Sequence, residues 1–324
     1  NLLVFKEPSL YTPFLQEETM FDSSKLDAYL TGLCQARDLP GVSAAIMGPD
    51  GLEYAFNYGF RDGAFTRPVD NDTLFGVASM SKSMTALCAC ILACEGRLDL
   101  NAPVSDFFPE FELAGQPREA ATVRTLAMHT AGIPPMEPLE WSIAMNSEGR
   151  SESDWLREMK RTAPNKMETI DQIIAYIAHC GYNTLGAPGE VMSYSNEGYA
   201  ILSYIVDQAA GVPLEQFMQA RIFDPLGMTR TILDNGVEAA RALSGGNITS
   251  LFEVEDGRRT CDDCWSVLPP FRGCAMVKST SRDMAAYYRM IANMGMHEGK
   301  QAIPAHAVDL LVGRYHPLSA QATT

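Results

Sequence analysis

A single amphipathic segment, residues 75–96, restricts the fold of this chain more than any other part of the sequence. It reads FGVASMSKSMTALCACILACEG, and its apolar residues recur at i, i+3, i+4, i+7 and i+8. That spacing predicts a helix with one buried face. The rest of the chain therefore has to enclose this helix in a core. The residues of the buried face are Met84, Leu87, Cys88, Ile91 and Leu92.

Ser79 and Lys82 stand at the start of this predicted helix, three residues apart and so on the same side of its first turn. A serine hydroxyl is a poor nucleophile until a neighbouring base removes its proton. A lysine can be that base only when its neutral form is favoured, and burial together with the positive end of a helix dipole favours that form. The spacing therefore supplies a nucleophile and a candidate base. The same pattern also fits a helix capped by Ser79 with a solvated Lys82.

The remaining elements predict the α+β class. Residues 22–38 begin with Asp and Ser as candidate caps and carry apolar residues at helical spacing. Residues 42–48 and 52–60, separated by the turn sequence PDG, predict a β-hairpin. From about residue 79 to residue 251 the pattern is chiefly helical. Because strands and helices are segregated, we expect an antiparallel β-sheet flanked by helices plus a mostly helical lobe, with further strands toward the C-terminus.

The charge and hydropathy of the chain disfavour two classes of partner. A formal net charge of −15 repels phosphate backbones and anionic lipids, so we expect no nucleic-acid and no membrane partner. The longest apolar stretch, residues 86–93, is far shorter than the roughly 20 residues of a spanning helix. The N-terminus lacks the features of a secretory signal, and we expect a cytoplasmic location. The chain also lacks an initiator Met, so a periplasmic or secreted location stays open.

The cysteines and histidines give no pattern of a metal site. Cys88, Cys90 and Cys94 fall on the predicted helix and are interpreted as small core residues, and we favour free thiols over disulfides. Cys261 and Cys264 form an isolated CxxC without a second pair at zinc-ribbon spacing. No HExxH, Walker loop, GxGxxG or GxSxG is present. We therefore expect no metal and no cofactor.

Several blocks in a fixed order accompany the Ser79 segment. Together they resemble the serine β-lactamase-like superfamily, which includes class C β-lactamases, D-Ala-D-Ala carboxypeptidases, D-aminopeptidases and related esterases. The resemblance runs from roughly residue 22 to residue 295. The blocks are YGFRDGAFTRPVDNDTLFGVASMSK (58–82), EGRLDLNAPVSDFFPEF (95–111), LAMHTAGIP (126–134) and PGEVMSYSNEGYAILSYIVDQAAGVPLEQFMQARIFDPLGMTRT (188–231).

The resemblance implies a role for each motif residue. Ser79 and Lys82 match the family's SxxK nucleophile and base. Tyr194 and Asn196 match its Tyr-x-Asn motif, here YSN, in which the tyrosine relays a proton to the leaving group and the asparagine contacts the substrate. A tyrosine beside an ammonium group can serve general acid–base work. His129, in HTAG, is interpreted as a structural residue.

The third family motif, Lys or His followed by any residue and Gly, is not recognised in this sequence. Lys278, in KST, is superficially similar, but the surrounding residues resemble a Gly-x-x-x-Ser-Thr-x-x-Asp stretch that opens a late helix, with Thr280 and Asp283 as a capping box. The family supplies half of its oxyanion hole from a strand beside this motif. We therefore expect the C-terminal strands to lie beyond Thr324, in the same protein or in a C-terminal fragment that completes the fold.

These inferences define a functional hypothesis. We expect one β-lactamase/transpeptidase-like catalytic domain over residues 1–324, incomplete at its C-terminus, with a helical lobe at 75–250. Residues 135–170, polar and irregular, are either a surface insertion or a lid. The expected function is a serine acyl-hydrolase that forms an acyl-enzyme at Ser79 with a small-molecule or short-peptide substrate, either a D-amino-acid peptide or a carboxylic ester. The alternatives are a true β-lactamase and a non-catalytic scaffold that retains the fold.

Overall fold

The computed structural model describes residues 23–48, 51–148, 153–164, 167–255 and 258–313. The chain divides into two compact units, one ending at Asp38 and the other beginning at Leu39. The first contains helix α1 (Ser23–Ala36), which confirms the helix predicted within residues 22–38. The N-terminal residues on which the localisation was argued lie outside the described residues. The expectation of a single domain stays a prediction.

The second unit contains the remaining helices and strands. The helices are α2 (Ser81–Cys94), α3 (Val123–Ala127), α4 (Pro138–Met145), α5 (Asp154–Thr162), α6 (Ile170–His179), α7 (Asn196–Ala210), α8 (Leu214–Met218), α9 (Glu238–Ser244), α10 (Arg272–Ala275), α11 (Ser281–Ala292) and α12 (Ala305–Val312). The strands are β1 (Gly41–Gly48), β2 (Gly51–Gly59), β3 (Phe75–Gly76), β4 (Ile232–Leu233), β5 (Leu251–Glu255), β6 (Arg258–Asp262), β7 (Val277–Ser279), β8 (Met296–His297) and β9 (Lys300–Gln301).

Strands β1 and β2 form the predicted hairpin. They pair antiparallel from Gly41 opposite Gly59 to Gly48 opposite Gly51, with an irregularity between Ile46 and Met47. The turn residues 49–50 lie outside the described residues. Helix α11 packs against β1. The hairpin is therefore covered by a helix from the C-terminal part of the chain, which is the expected layering of sheet and helix.

The other described strands are short and also antiparallel. Strands β3, β7 and β4 form a sheet in that order, while β5 pairs with β6 and β8 with β9. Strand β3 ends two residues before Ala78, so the β3–β7 pairing holds the chain where it enters the α2 region. Long helical runs beside small antiparallel sheets confirm the α+β class.

Helix α2 is the central element of the core. All five residues of the predicted apolar face, Met84, Leu87, Cys88, Ile91 and Leu92, are completely buried. Helices α7, α8, α10 and α12 pack around α2. The periodicity therefore located the buried helix correctly. Burial extends beyond one face, since Ala86 and Ala89 on the other side are also buried.

The segment 135–170 is more ordered than the sequence predicted, because it contains α4 and α5. Helix α4 begins with Pro138, whose fixed φ suits a first helical position. Helix α5 begins after Ser153, whose hydroxyl accepts the Leu156 N–H. The parts of this segment at 149–152 and 165–166 lie outside the described residues. Whether it acts as a lid stays a prediction.

Helix length and composition bear on whether any element could span a bilayer. Among the described residues, none of the helices is both long enough and apolar enough to cross a membrane.

Candidate active site

Ser79 lies in a turn of 3₁₀-helix, Ala78–Met80, directly before α2. Ala78 has a φ of 46°, in the left-handed region that side chains other than glycine rarely adopt. No side-chain hydrogen bond caps α2, and Lys82 in its first turn is only 4% exposed. The alternative of a capping Ser79 with a solvated Lys82 is therefore wrong. Ser79 itself is exposed, so its hydroxyl is open to a ligand.

The Lys82 amine makes three hydrogen bonds. Nζ donates to Ser79 Oγ at 3.1 Å, to Asn196 Oδ1 at 2.9 Å and to the Cys274 carbonyl oxygen at 3.1 Å. Three acceptors match the three N–H donors of an ammonium group. In the neutral amine, the Asn196 and Cys274 oxygens can take the two remaining protons and leave the lone pair facing Ser79. The Cys274 carbonyl, on α10, is a contact that the sequence did not predict.

Tyr194 and Asn196 reach this amine from the segment that leads into α7. Ser195 between them is extended, with φ −132° and ψ 122°, and its hydroxyl caps α7 by accepting the Gly198 N–H. Alternate residues of an extended segment face the same side. Asn196 accordingly contacts Lys82, and the Tyr194 hydroxyl lies 2.7 Å from Ser79 Oγ. The structure therefore brings all four predicted site residues together.

Two tyrosine rings flank the lysine. Lys82 Nζ lies 4.8 Å from the centre of the Tyr194 ring and 5.7 Å from that of Tyr199. The face of an aromatic ring attracts a cation at such distances. Tyr199 is buried, and its hydroxyl donates to the Ala127 carbonyl. Tyr199 lies on α7 three residues after Asn196, so the two side chains share one face of the helix. This spacing was the sequence signal that could have identified Tyr199 as a neighbour of the site.

His129 contacts the site although the sequence assigned it only a structural role. Its imidazole stacks on the Tyr194 ring with centroids 4.4 Å apart, and Nδ1 accepts the Ser195 N–H at 3.1 Å. Burial, with a smaller contribution from the Lys82 charge, lowers the His129 pKa from 6.5 to about 4. At neutral pH the ring is therefore uncharged and Nδ1 is free to accept.

A buried carboxyl adjoins the YSN motif. Glu197, directly after Asn196, is 1% exposed, and its Oε2 accepts the Ser195 hydroxyl at 3.2 Å. Its other oxygen has no hydrogen-bond partner among the described residues. Burial, together with the nearby Glu140 charge, raises the Glu197 pKa from 4.5 to about 7. The burial of Glu197 was not predicted, because nothing in the sequence YSNEG distinguishes a buried glutamate from a solvated one.

Lys278 occupies a different environment. It lies on β7, is 1% exposed, and donates from Nζ to the carbonyl oxygens of Asp234 and Met276. Its ammonium group thus contacts backbone oxygens rather than the Ser79 hydroxyl. The expected late helix follows as α11, with Thr280 Oγ1 accepting the Asp283 N–H. This cap confirms that the KST segment opens a helix, although only one of the two hydrogen bonds of a capping box is present.

None of the cysteines forms a disulfide bond. All eight are free, including Cys261 and Cys264. Burial raises the pKa of the Cys90 and Cys274 thiols to about 12, which suppresses their thiolate forms. Within the described ranges no group of three or more His, Cys, Asp or Glu side chains has the geometry of a metal site.

The combined geometry suits transfer of an acyl group. An exposed hydroxyl contacts both a buried amine and a phenol, which are groups able to accept and donate protons. Ser79 stands where the chain enters α2, so its own N–H lies near the positive end of the helix dipole. A carbonyl bound there would have a nucleophile, a base and an acid within reach.

Solved structures share this arrangement of elements. The octameric penicillin-binding protein homologue from Pyrococcus abyssi superposes with a TM-score of 0.71 at 24% identity, covering 89% of this chain and 59% of that one. A class C beta-lactamase superposes with a TM-score of 0.66 at 23% identity, covering 88% of this chain and 68% of that one. The chain therefore has the β-lactamase/transpeptidase fold.

Curated relatives carry several functional names. A beta-lactamase of Pseudomonas fluorescens is 26% identical over 64% of this chain and 50% of its own length. Penicillin-binding protein 4* of Bacillus subtilis is 29% identical over 60% of this chain and 38% of its own length. Esterase EstB of Burkholderia gladioli is 29% identical over 64% of this chain and 50% of its own length. This chain thus spans about half the length of the curated relatives it matches.

The family itself follows from a match over most of the sequence. The model of the Beta-lactamase family matches residues 26–322, a range that contains Ser79, Lys82, Tyr194 and Asn196. The chain belongs to the Beta-lactamase family, the serine β-lactamase-like superfamily whose members include β-lactamases, penicillin-binding proteins and esterases.

Proposed function

We propose that this protein is a serine acyl-hydrolase that forms an acyl-enzyme at Ser79. The observation that carries the proposal is the double contact of Ser79 Oγ, 3.1 Å from Lys82 Nζ and 2.7 Å from the Tyr194 hydroxyl. A hydroxyl that only caps a helix or faces solvent is not expected to contact two proton-transfer groups at once. This arrangement meets the geometric requirement for an activated serine.

The proposed reaction has two halves. Ser79 Oγ attacks the carbonyl carbon of the substrate, and its proton passes to Lys82 in the amine form. Tyr194 donates a proton to the departing nitrogen or oxygen and takes one back from Lys82, the bond to the leaving group breaks, and an ester to Ser79 remains. Water then attacks the ester carbonyl and gives a proton to Lys82, the bond to Ser79 Oγ breaks, that proton passes to Ser79 Oγ, and a carboxylic acid is released. The Ser79 N–H supplies one oxyanion donor, and the second donor stays a prediction.

Asn196 and Cys274 orient the base in this proposal. Their oxygens accept two of the Lys82 N–H groups at 2.9 and 3.1 Å, which leaves the third position of the nitrogen directed at Ser79. Asn196 also keeps its amide NH₂ for a substrate oxygen, in line with its expected role in substrate binding.

The proposed substrate class is a small amide or ester, either a D-amino-acid peptide or a carboxylic ester. The exposed position of Ser79 and the 38% exposure of Tyr194 suit a substrate that approaches from solvent. A β-lactam is the second candidate, because relatives over about two thirds of this chain carry the name beta-lactamase. A panel of β-lactam, D-peptide and short-chain ester substrates separates these classes.

The decisive experiment is covalent labelling of the full-length protein. A fluorophosphonate or penicillin probe, followed by peptide mapping, is expected to place the adduct on Ser79. Ser79→Ala should abolish the adduct. Ser83→Ala is the matched control. Ser83 lies on the same helix, where its hydroxyl donates to the Met80 carbonyl and accepts from Tyr287, so its loss should leave labelling intact. Absence of any Ser79 adduct in folded protein would favour the non-catalytic scaffold.

A further inference from the structure

His129 terminates α3 in an unusual backbone conformation. Its N–H donates to the Leu126 carbonyl at 3.1 Å, and its φ of 57° lies in the left-handed region. A left-handed residue commonly ends a helix, but glycine or asparagine usually occupies that position. Histidine tolerates this conformation better than bulkier residues do. Glycine would be sufficient to end α3, so this position does not require an imidazole for the turn alone.

The same residue holds the chain on both sides of Tyr194. The Ser193 N–H donates to the His129 carbonyl oxygen at 2.7 Å, and the Ser195 N–H donates to His129 Nδ1 at 3.1 Å. The backbone N–H groups of the two residues on either side of Tyr194 are thus anchored to a single residue. One of these bonds uses the backbone of His129 and the other uses its side chain.

The imidazole also supports the phenol directly. It stacks on Tyr194 with an interplanar angle of 28° and lies 4.8 Å from the ring centre of Tyr199. Tyr194 is 38% exposed, so burial alone does not fix its ring. Stacking adds a restraint on the ring to the hydrogen bonds on its backbone.

We propose that His129 is a positioning residue that holds the Tyr194 hydroxyl against Ser79 Oγ through its Nδ1 bond to Ser195 and its stack on the Tyr194 ring. The inference rests on the proposed acyl-transfer function. His129 does not touch the reacting atoms, and it acts through the placement of Tyr194. A proton-transfer group displaced by about 1 Å can cost about 100-fold in rate, so this placement has a measurable effect.

Two substitutions separate the side chain of His129 from its backbone. His129→Gly keeps the left-handed turn and the backbone carbonyl but removes Nδ1 and the ring. His129→Asn also tolerates the turn and retains a side-chain acceptor for the Ser195 N–H. Both variants are compatible with the backbone that ends α3, so both are expected to fold, as circular dichroism and thermal melting would verify.

The full-length variants are then assayed with a substrate that the wild-type protein turns over. His129→Gly is expected to lower kcat by about 10- to 100-fold with KM within about twofold, and His129→Asn to recover part of that loss. His306→Asn, at a 70% exposed histidine on α12, is the matched control and should keep wild-type kcat. If His129 served only to end α3, His129→Gly would be as active as wild type, and that result would overturn the inference.

A double-mutant cycle tests the route through the phenol. In a Tyr194→Phe background the hydroxyl is already absent, so His129→Gly is expected to cause little further loss of kcat. Equal fold losses in the two backgrounds would contradict a role through Tyr194.

A spectroscopic readout keeps this inference distinct from the proposed function. In full-length protein labelled with ¹³Cζ-tyrosine, Ser79→Ala should shift the Tyr194 resonance, assigned from Tyr194→Phe, because the two hydroxyls are in contact. In a His129→Gly background the same Ser79→Ala change should shift that resonance much less, while the resonance of the buried Tyr287 stays in place. If wild type lacks activity but this difference occurs, the acyl-transfer function fails and the positioning role stands. Equal Ser79→Ala shifts in the two backgrounds would refute the positioning role whatever the activity.

Discussion

The Tyr194 hydroxyl lies 2.7 Å from Ser79 Oγ, although 115 positions of the chain separate the two residues. The contact joins the entry of α2 to the entry of α7, and these two helices pack directly against each other in the core. Because each helix is fixed by buried side chains along its length, the two N-terminal ends are held in a constant relationship. The helix pair therefore fixes the two chain segments from which Ser79 and Tyr194 project.

Replacing the Tyr194 hydroxyl tests its assignment as the proton donor. Tyr194→Phe keeps the ring over Lys82 and is expected to lower the rate of acylation by about 10²- to 10⁴-fold, the usual contribution of a general acid–base group. Thermal stability should change little, since Tyr194 is 38% exposed. Stopped-flow acylation with a chromogenic substrate measures the effect. Tyr288→Phe, at a comparably exposed tyrosine on α11, is the control, and an equal loss in both variants would contradict the assignment.

Gly273 fixes the position of the Cys274 carbonyl that Lys82 contacts. A Cβ atom at Gly273 would lie 2.5 Å from Ser203 Cβ and 2.8 Å from Leu214 Cδ2, closer than packed carbon atoms can approach. Gly273→Ala should therefore push α10 away from α7, destabilise the protein by about 1–3 kcal/mol and lower kcat. Urea unfolding and steady-state kinetics measure the two effects. Gly32→Ala, at an exposed helical position with free space around it, should cause neither loss.

Local patterns predicted two parts of the fold. The turn sequence PDG between two strand-like runs and the 3.6-residue period of α2 are properties of short stretches, and both the hairpin and the helix occur where they were expected. Helix α5 was missed because only Leu156 of its nine residues is buried, so its apolar stripe is too narrow to stand out in a polar segment. Its cap at Ser153 was the signal available in the sequence.

The site was predictable only in part from the chain itself. Ser79 and Lys82 are neighbours by helical spacing, whereas Tyr194 and Asn196 could be placed beside them only through resemblance to a family. The Cys274 carbonyl had no sequence signal, because every residue carries one. The position of His129 depends on a left-handed backbone at the end of α3, which its residue type alone does not specify.

Glu197 makes the stability of the protein depend on pH. Burial raises its pKa from the ordinary value of 4.5 to about 7 in the folded protein, so the folded state binds the proton more tightly than the unfolded chain does. Stability from the protonated carboxyl is complete below pH 4.5 and is lost as the pH rises through 7. Glu197→Gln mimics the neutral acid. Its stability relative to wild type should therefore be greater at pH 8 than at pH 4.5 by about 2–3 kcal/mol. Urea unfolding at both pH values tests this, with the exposed Glu110→Gln as control. A difference that does not change with pH would show that Glu197 ionises as readily in the folded as in the unfolded chain.

His129 makes the stability of the protein depend on pH in the opposite direction to Glu197. Its pKa is lowered to about 4 in the folded protein from 6.5, so between these values the unfolded chain binds more protons than the folded one. The free energy of unfolding should consequently fall as the pH drops from 6.5 to 4. His129→Asn removes this titration while it keeps the turn at the end of α3. The stability advantage of wild type over His129→Asn should shrink by about 2–3 kcal/mol between pH 7 and pH 4.

Denaturant unfolding of both proteins at half-unit pH steps measures that change, and His306→Asn on the surface of α12 controls for replacing a histidine outside the site. We also expect a functional effect in the same pH range. A protonated Nδ1 cannot accept the Ser195 N–H, so Tyr194 would no longer be held in position, and acylation by the wild-type protein should decline near pH 4. If the stability difference between wild type and His129→Asn stayed constant from pH 7 to pH 4, the imidazole would be protonated as readily in the folded as in the unfolded chain. The hydrogen bond from the Ser195 N–H would then have to be reassigned.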